Sequence, residues 1–493
     1  MRAPGPLRRG VVHNLLGIAL PALVALIALP RLAAALGTER LGVLTLVWAT
    51  LSYFGVLNLG VGRALTQAVA GGEGEDATLS GLFWTGLAMV MALAASAGAG
   101  LALAAPWLAR GLNLPPGLAR EAADAFRMLG LTLPWVISFP VLTGVLEARY
   151  RFGRVNAVAA PASALAYLGP VFVASISPDL LYVTGLLAVV RMVAWTVCLT
   201  LCLRELPALR RPRLRRGAAG PLLRFGGWTT VSAAVSPVLV YLDRFVLGGL
   251  VSTAAVAFYG VPQEITLRLG AVSSAIGSVL FPAFAAAHAS ARRTEGALLR
   301  RGMDGVFLLV LPAAMGLAAA GGDVMRAWMG ADFAREGGAA LAVLGVGLLM
   351  NGFGKVASSL LYGAGRPDHV AHAHLLELVL YVPLVALLVW MWGVPGAALA
   401  WTLRTSGDAL LLLRAAGREV PEAVPALGRA ARMGAFAAAG AAGAFWLPGL
   451  GWRVGFAVAA TLCGWAIFRV HGDTLRAMGF GRSAAAPSPG ADG

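Results

Sequence analysis

Apolar residues in this chain run on for twenty or more positions at a time, broken by short polar stretches, with no strand-like alternation. A bilayer's hydrocarbon core takes about 20 apolar residues of helix to cross, and a single chain segment in lipid can satisfy its own backbone only as a helix. Taken in order, the runs predict fourteen spans, near 12–34, 41–62, 79–107, 126–146, 156–176, 180–203, 222–249, 255–285, 304–327, 338–361, 370–391, 394–413, 433–449 and 452–470. The third and eighth are long enough to tilt or to run past the membrane. Arg8, Arg9 and the later Ala33-Ala34-Ala35 imitate a secretory signal peptide. The run Val11–Leu36 nevertheless exceeds the about 7–15 apolar residues of such a segment, so it reads as a first membrane helix that is kept.

Composition agrees. Of 493 residues 59% are hydrophobic and 13% charged, against roughly 25% charged in soluble domains. The 39 Lys+Arg against 23 Asp+Glu would suggest nucleic acid in a soluble protein. Here the arginines sit between apolar runs, so topology accounts for the excess and no nucleic-acid partner is expected. With the N-terminus in the cytoplasm, inside segments hold Arg2, Arg8 and Arg9, then Arg63, then Arg149, Arg151 and Arg154. They go on to hold the cluster Arg204, Arg210, Arg211, Arg213, Arg215, Arg216 and Arg224, then Arg292, Arg293, Arg300 and Arg301, then Arg366. The last inside groups are Arg414, Arg418, Arg429 and Arg432, and finally Arg469, Arg476 and Arg482. Outside loops keep only Arg31, Arg40, Arg110, Arg120, Arg326, Arg335 and Arg453. That asymmetry predicts both termini in the cytoplasm.

The basic loop after the sixth span divides the first twelve spans into two sets of six, which both start inside and would form a parallel pseudo-repeat. The expected layout is an N-terminal six-helix lobe (1–203), a basic cytoplasmic linker (204–220), a C-terminal six-helix lobe (221–414), two additional helices (415–470) and a disordered cytoplasmic tail (471–493).

Motifs of chemistry are missing. The chain has no P-loop, nucleophile elbow, HExxH or EF-hand loop. Cys198, Cys202 and Cys463 lie within apolar spans and make no metal or disulfide framework. His369, His372 and His374 cluster, with Asp368 as the one nearby acid, which is a poor ligand set. The outer loops are short. Neither an enzyme nor a cofactor is expected, and movement of a solute remains.

Charges inside the spans mark where that solute would pass. A charge at the bilayer centre costs about 2.5–3.5 kcal/mol on insertion scales and faces a partner or water. Asp243 and Arg244 fall in span seven, and Glu264 and Arg268, at i,i+4, in span eight. Asp124 and Arg127 fall in span four, Arg191 in span six, Lys355 in span ten, Glu377 in span eleven, and Arg404 with Asp408 in span twelve. The i,i+4 pairs Glu264–Arg268 and Arg404–Asp408 can neutralise themselves locally. Arg191, Arg244 and Lys355 have no acid one helical turn away and are expected on an open cationic cavity, which suits an anionic headgroup.

Residues 30–70 carry Arg31, Leu36-Gly37, Gly42, Leu59-Gly60-Val61-Gly62 and Arg63. Residues 222–285 carry Asp243-Arg244, Leu247-Gly248, Tyr259 and Phe281-Pro282. This pattern resembles the polysaccharide-biosynthesis flippases that export O-antigen and related repeat units, within the multidrug/oligosaccharidyl-lipid/polysaccharide exporter superfamily. The resemblance implies an all-α membrane protein with two six-helix lobes rocking about a central cavity, plus two C-terminal helices, in a bacterial inner membrane. It implies an undecaprenyl-diphosphate-linked oligosaccharide as cargo, with polysaccharide polymerase and glycosyltransferases as partners beside the membrane lipids. Arg31, Arg191, Arg244, Arg268, Lys355 and Arg404 are then the candidate substrate-binding cations, and Asp243, Glu264, Glu377 and Asp408 the candidate gating or ion-coupling carboxylates. Alternatives of the same superfamily are a cation-coupled multidrug exporter and a lipid II flippase. A charge-free first span before Arg31 argues against the latter. A non-transporting membrane scaffold is a third class.

The arginine distribution predicts that a fluorescent-protein reporter inserted after Pro212 is bright and that alkaline phosphatase inserted after Leu112 is active. The opposite pattern at both sites would invert the topology.

Overall fold

The computed structural model describes residues 6–58, 61, 76–115, 117–149, 151–214, 227–289 and 294–470, and the side chains of most of these. Arg63, Arg215, Arg216, Arg224, Arg292, Arg293, Arg476, Arg482, the Leu59-Gly60 and Gly62 positions and the expected tail 471–493 lie outside the described residues.

Every regular element among the described residues is a helix. In order these are α1 (Pro6–Phe54), α2 (Asp76–Gly111), α3 (Leu118–Ala148), α4 (Phe152–Ile176), α5 (Leu180–Glu205), α6 (Gly227–Leu250), α7 (Thr253–Leu269), α8 (Ala271–Ala289), α9 (Glu295–Met329), α10 (Ala331–Gly363), α11 (Pro367–Glu419), α12 (Val424–Trp446) and α13 (Leu450–Ile467), with short 3-10 turns between some of them. Ten stretches among the described residues are helical, long and apolar enough to cross a membrane. The chain is a multi-pass membrane protein.

Sequence explains where the rods bend. α1 runs through the boundary expected between the first two spans, but Gly37 there takes φ 76° and folds the rod. α11 runs through the boundary expected between spans eleven and twelve, and Gly393 takes φ 57°. Both angles are left-handed backbone that glycine adopts at no steric cost. α5 starts where Asp179 Oδ1 accepts the backbone N–H of Leu181 at 2.8 Å, a side-chain N-cap.

Contacts divide the chain into two compact units, Met1–Gly260 and Val261–Gly493, a division that falls inside α7. In the first unit α2 pairs with α3, α3 with α5, and α4 with both α1 and α5, while α6 lies on α1. Glycines let these rods approach. A Cβ on Gly98 would collide with the Gly130 carbonyl, and one on Gly130 would sit 3.3 Å from the Ala102 nitrogen, the small-residue contact that takes the place of hydrophobic drive in lipid.

In the second unit α10 is central, packed against α8, α9, α11 and α12. The core gathers Phe307, Leu311 and Met315 of α9, Leu349, Phe353 and Val356 of α10, Leu413 of α11, and Met433 and Ala437 of α12. The two last helices belong to this core. Arg429 on α12 holds Asp304 on α9 at 2.7 Å and donates to the Phe468 carbonyl, also at 2.7 Å. Arg453 on α13 holds Asp323, further along α9, at 2.9 Å.

Gly130→Leu should weaken the α2–α3 pairing by about 1–3 kcal/mol, as overpacking does. Heat unfolding in detergent is the measurement, with Gly100→Ala, whose Cβ meets nothing within 4 Å, as the unaffected control.

Candidate functional site

The charged residues expected inside the membrane fall into distinct settings. In the first unit, Asp243 of α6 is fully buried. One of its oxygens accepts the Arg244 backbone N–H at 2.8 Å, and the other accepts the Tyr259 hydroxyl from α7. Arg244 is fully buried as well. Its guanidinium lies 4.8 Å from the centre of the Tyr241 ring, a cation–π distance. Tyr53 of α1 packs on Tyr241 and Phe245 at 6.4 and 5.6 Å. The expectation that Arg244 lines an open cavity is therefore corrected for this structure. The Tyr241 ring, one helical turn earlier on α6, lies against it, and Tyr53 of α1 backs that ring.

The stretch Gly37–Gly42 acts as a joint. Glu39 accepts the Thr253 hydroxyl and, at 2.9 Å, the Ala254 backbone N–H, capping the start of α7. Arg40 makes a two-pronged contact with Glu121 of α3, both arms at 2.8 Å. Gly42 leaves room for the Thr253 carbonyl, which a Cβ would strike. The Leu-Gly spacing in the sequence points at this joint, but Glu39, Arg40 and Glu121 are not among the expected site residues.

Arg31 is exposed and, among the described residues, its side chain reaches only the Ile27 carbonyl, at 3.4 Å. Arg191 is half-exposed on α5, with Tyr167 of α4 close enough to interact. Asp124 and Arg127 pair at 2.7 Å on α3.

In the second unit, the helix expected as span eight breaks at Gly270, which separates α7 from α8. Lys355 of α10 donates to the Gly270 carbonyl at 3.3 Å and to the Ser274 hydroxyl at 2.7 Å. The Gly270 carbonyl also accepts the Ser274 backbone N–H at 3.1 Å, so the one lysine is a further donor beside the break, where an open cavity was expected to receive it. Its setting stays half-exposed, and Asn351, Lys355, Ser358 and Tyr362 recur on one face of α10 with similar exposure. Glu264 and Arg268 make the expected i,i+4 pair at 3.8 Å, both partly exposed. Ser274 and Ser278 on α8 are exposed too.

A second cluster lies deeper. Arg404 Nη1 meets Glu377 Oε2 at 3.2 Å, and both residues are buried. The expected Arg404–Asp408 pair is not what forms. α11 folds back at Gly393, so its two halves run side by side and bring Glu377, 27 residues earlier, to Arg404. Asp408 turns to His374, 3.9 Å away, lies within hydrogen-bonding reach of Glu377, and rests against Gly354. Tyr381 and Trp401 rings flank Arg404 at 5.6 and 6.0 Å. Glu377 Oε1, Arg404 Nε and Asp408 Oδ1 are buried without a hydrogen-bond partner among the described residues. Such atoms are costly unless something occupies or protonates the site.

The three clustered histidines have separate partners. His369 meets Glu419 at 2.9 Å, His372 meets the Asp368 carbonyl at 2.7 Å, and His374 faces Asp408. Arg366, in the turn before α11, binds both Asp368 and Glu419, and the Asp368 hydrogen bond holds its guanidinium above the usual range. No group of three metal-binding side chains forms among the described residues.

Two all-helical units with charged groups held within membrane spans define a class, the multi-pass α-helical membrane proteins. The fold matches a structure described as lipid II flippase MurJ in an inward closed conformation, with TM-score 0.72 and 10% identity, over 95% of this chain and 99% of that one. It also matches an inward-facing multidrug resistance MATE family transporter of the MOP superfamily, with TM-score 0.69 and 16% identity, over 84% of this chain and 99% of that one. At those identities the likeness is one of fold.

The family model described as polysaccharide biosynthesis protein matches residues 7–288, more than half of the chain, and the chain belongs to that family. Among curated proteins it is similar to one named "Putative O-antigen transporter" from Shigella flexneri, 28% identical over 405 residues, which are 81% of this chain and 95% of that protein.

Arg404→Met would leave Glu377 buried without its cation. It should destabilise the second unit by about 3–5 kcal/mol, most of it recovered in Arg404→Met/Glu377→Leu. A double-mutant cycle on unfolding in detergent checks this.

Proposed function

We propose that this protein is a flippase that carries an undecaprenyl-diphosphate-linked oligosaccharide across a bacterial inner membrane by alternating access, for export of a surface polysaccharide. The observation that carries this reading is the similarity along 95% of the length of a protein named as an O-antigen transporter. The family and the transporter fold support it.

On this reading both termini are cytoplasmic. The accessible cations Arg268 and Lys355 meet the diphosphate and sugar, with Ser274 beside them as a hydroxyl donor. Arg31 and Arg191, accessible in the first unit, are further cargo candidates. The buried pairs take the other role. Glu377 and Asp408, with His374 and Arg404 around them, form the position for a coupling proton or cation, which would engage the orphaned oxygens. Asp243 and Glu264 are the gating carboxylates. Arg244, buried against the Tyr241 ring of its own helix, takes a structural role.

A deletion strain should lose the surface polysaccharide and accumulate its lipid-linked unit in the cytoplasmic leaflet. Normal polysaccharide in such a strain, with no second copy of the gene, refutes the reading. In the same strain Arg268→Gln/Lys355→Gln should restore less than about a tenth of the polysaccharide at wild-type protein level, the loss of two charge-assisted phosphate contacts.

A further inference from the structure

After α5 the chain does not leave the first unit. Leu206 and Leu209 are buried. Trp84 on α2 donates its indole N–H to the Leu209 carbonyl at 2.8 Å, and the Ser80 hydroxyl donates to the Arg211 carbonyl at 2.6 Å. Arg210 donates back to the Leu203 carbonyl at 3.1 Å. The segment Leu206–Arg211 is a strap fixed to α2, and it holds arginines at set positions.

Their charges are not spent locally. Glu205 takes Arg151 at 3.2 Å and also Arg154. Arg204, Arg211 and Arg213 are exposed and have no acid within ion-pair distance among the described residues. Below them on α5, Val193 and Val197 are exposed apolar residues. Val193, Val197 and Arg204 stand at i, i+4 and i+11, so they share one helix face. Eleven residues of helix span about 16 Å, the scale of a lipid acyl chain.

We propose that this face binds one anionic phospholipid, its headgroup phosphate held by Arg204, Arg211 and Arg213 and its chain laid along Val193 and Val197. A ligand touching both parts must itself be anionic at one end and apolar along its length, which a nucleic acid or an acidic peptide is not. Arginine's planar fork suits the phosphate ester. The exposed Leu214 at the end of the strap adds an apolar contact at the membrane surface. The site lies within the first unit and stands whether or not the flippase reading does.

The test uses the full purified chain in phosphatidylcholine micelles at low salt, titrated with chain-labelled phosphatidylglycerol and followed by anisotropy. Wild type should prefer phosphatidylglycerol to labelled phosphatidylcholine tenfold or more. Arg204→Gln/Arg211→Gln/Arg213→Gln should lower that affinity by at least about tenfold, each arginine near an anionic surface contributing about fivefold. Lysine at the three positions should restore much of it, and heat unfolding in phosphatidylcholine should stay unchanged. Should the triple variant unfold, the three single Gln variants give the same reading in smaller steps. Unchanged affinity in the glutamine variants overturns the proposal. So does displacement of the lipid by millimolar glycerol 3-phosphate, which would mark a site for a free phosphate ester. Full affinity in Val193→Gln/Val197→Gln would overturn the acyl-chain contact.

Discussion

In hydrocarbon no water is at hand to finish a hydrogen bond, so each polar group in a membrane span must find its partner within the protein or in a wetted cavity. Helices meet this demand by themselves only while they run straight. Where α7 gives way to α8 at Gly270, that residue's carbonyl keeps the Ser274 backbone N–H, and the Lys355 ammonium adds a further donor to it while also bonding the Ser274 hydroxyl. At the joint Gly37–Gly42, Glu39 receives the Ala254 N–H and the Thr253 hydroxyl at the start of α7, and Arg40 clamps α3 through Glu121. At both places a charged side chain from another helix sits against the interruption.

Apolar run length made the helices legible in sequence, because it is a local property imposed by bilayer thickness. Gly37 and Gly393 fall where turns were expected, and only the continuity of the helix through them was not foreseen. Glu264–Arg268 was legible too, since the two groups sit one turn apart on one helix. The pairings that define the buried clusters were not. Arg404 has Asp408 one turn away yet takes Glu377, because the fold at Gly393 lays the two halves of α11 together. Tyr259 reaches Asp243 from the next helix, and Glu121 reaches Arg40 from 81 residues away. An acid at i±4 says nothing of partners supplied by tertiary packing, nor of the Tyr241 ring at i−3 that covers the buried Arg244.

Burial sorts the charges more usefully than sequence position does. Asp243, Arg244, Glu377, Arg404 and Asp408 are withdrawn from the surface. A charge so placed that loses its partner is strongly destabilising, which makes it a poor candidate for a group that must bind and release cargo each cycle. Arg268, Lys355 and Arg191 keep part of their surface accessible. A group held at half exposure by weak or neutral partners can exchange them for a ligand at small cost, and a carrier needs groups of that kind.

Lys355 shows how the two demands combine. Its partners are a carbonyl and a hydroxyl, neither charged, so no ion pair has to be broken for the ammonium to turn toward an anion. When it turns, the Gly270 carbonyl loses one of its donors and keeps the Ser274 backbone N–H at 3.1 Å, so the ammonium leaves at small cost. On the proposed reading, cargo binding at Lys355 and the geometry of the α7–α8 break are therefore linked by one hydrogen bond. An anion that draws the ammonium away favours whichever conformation least needs it at Gly270, and that difference in affinity between states is what allows a ligand to shift a conformational equilibrium.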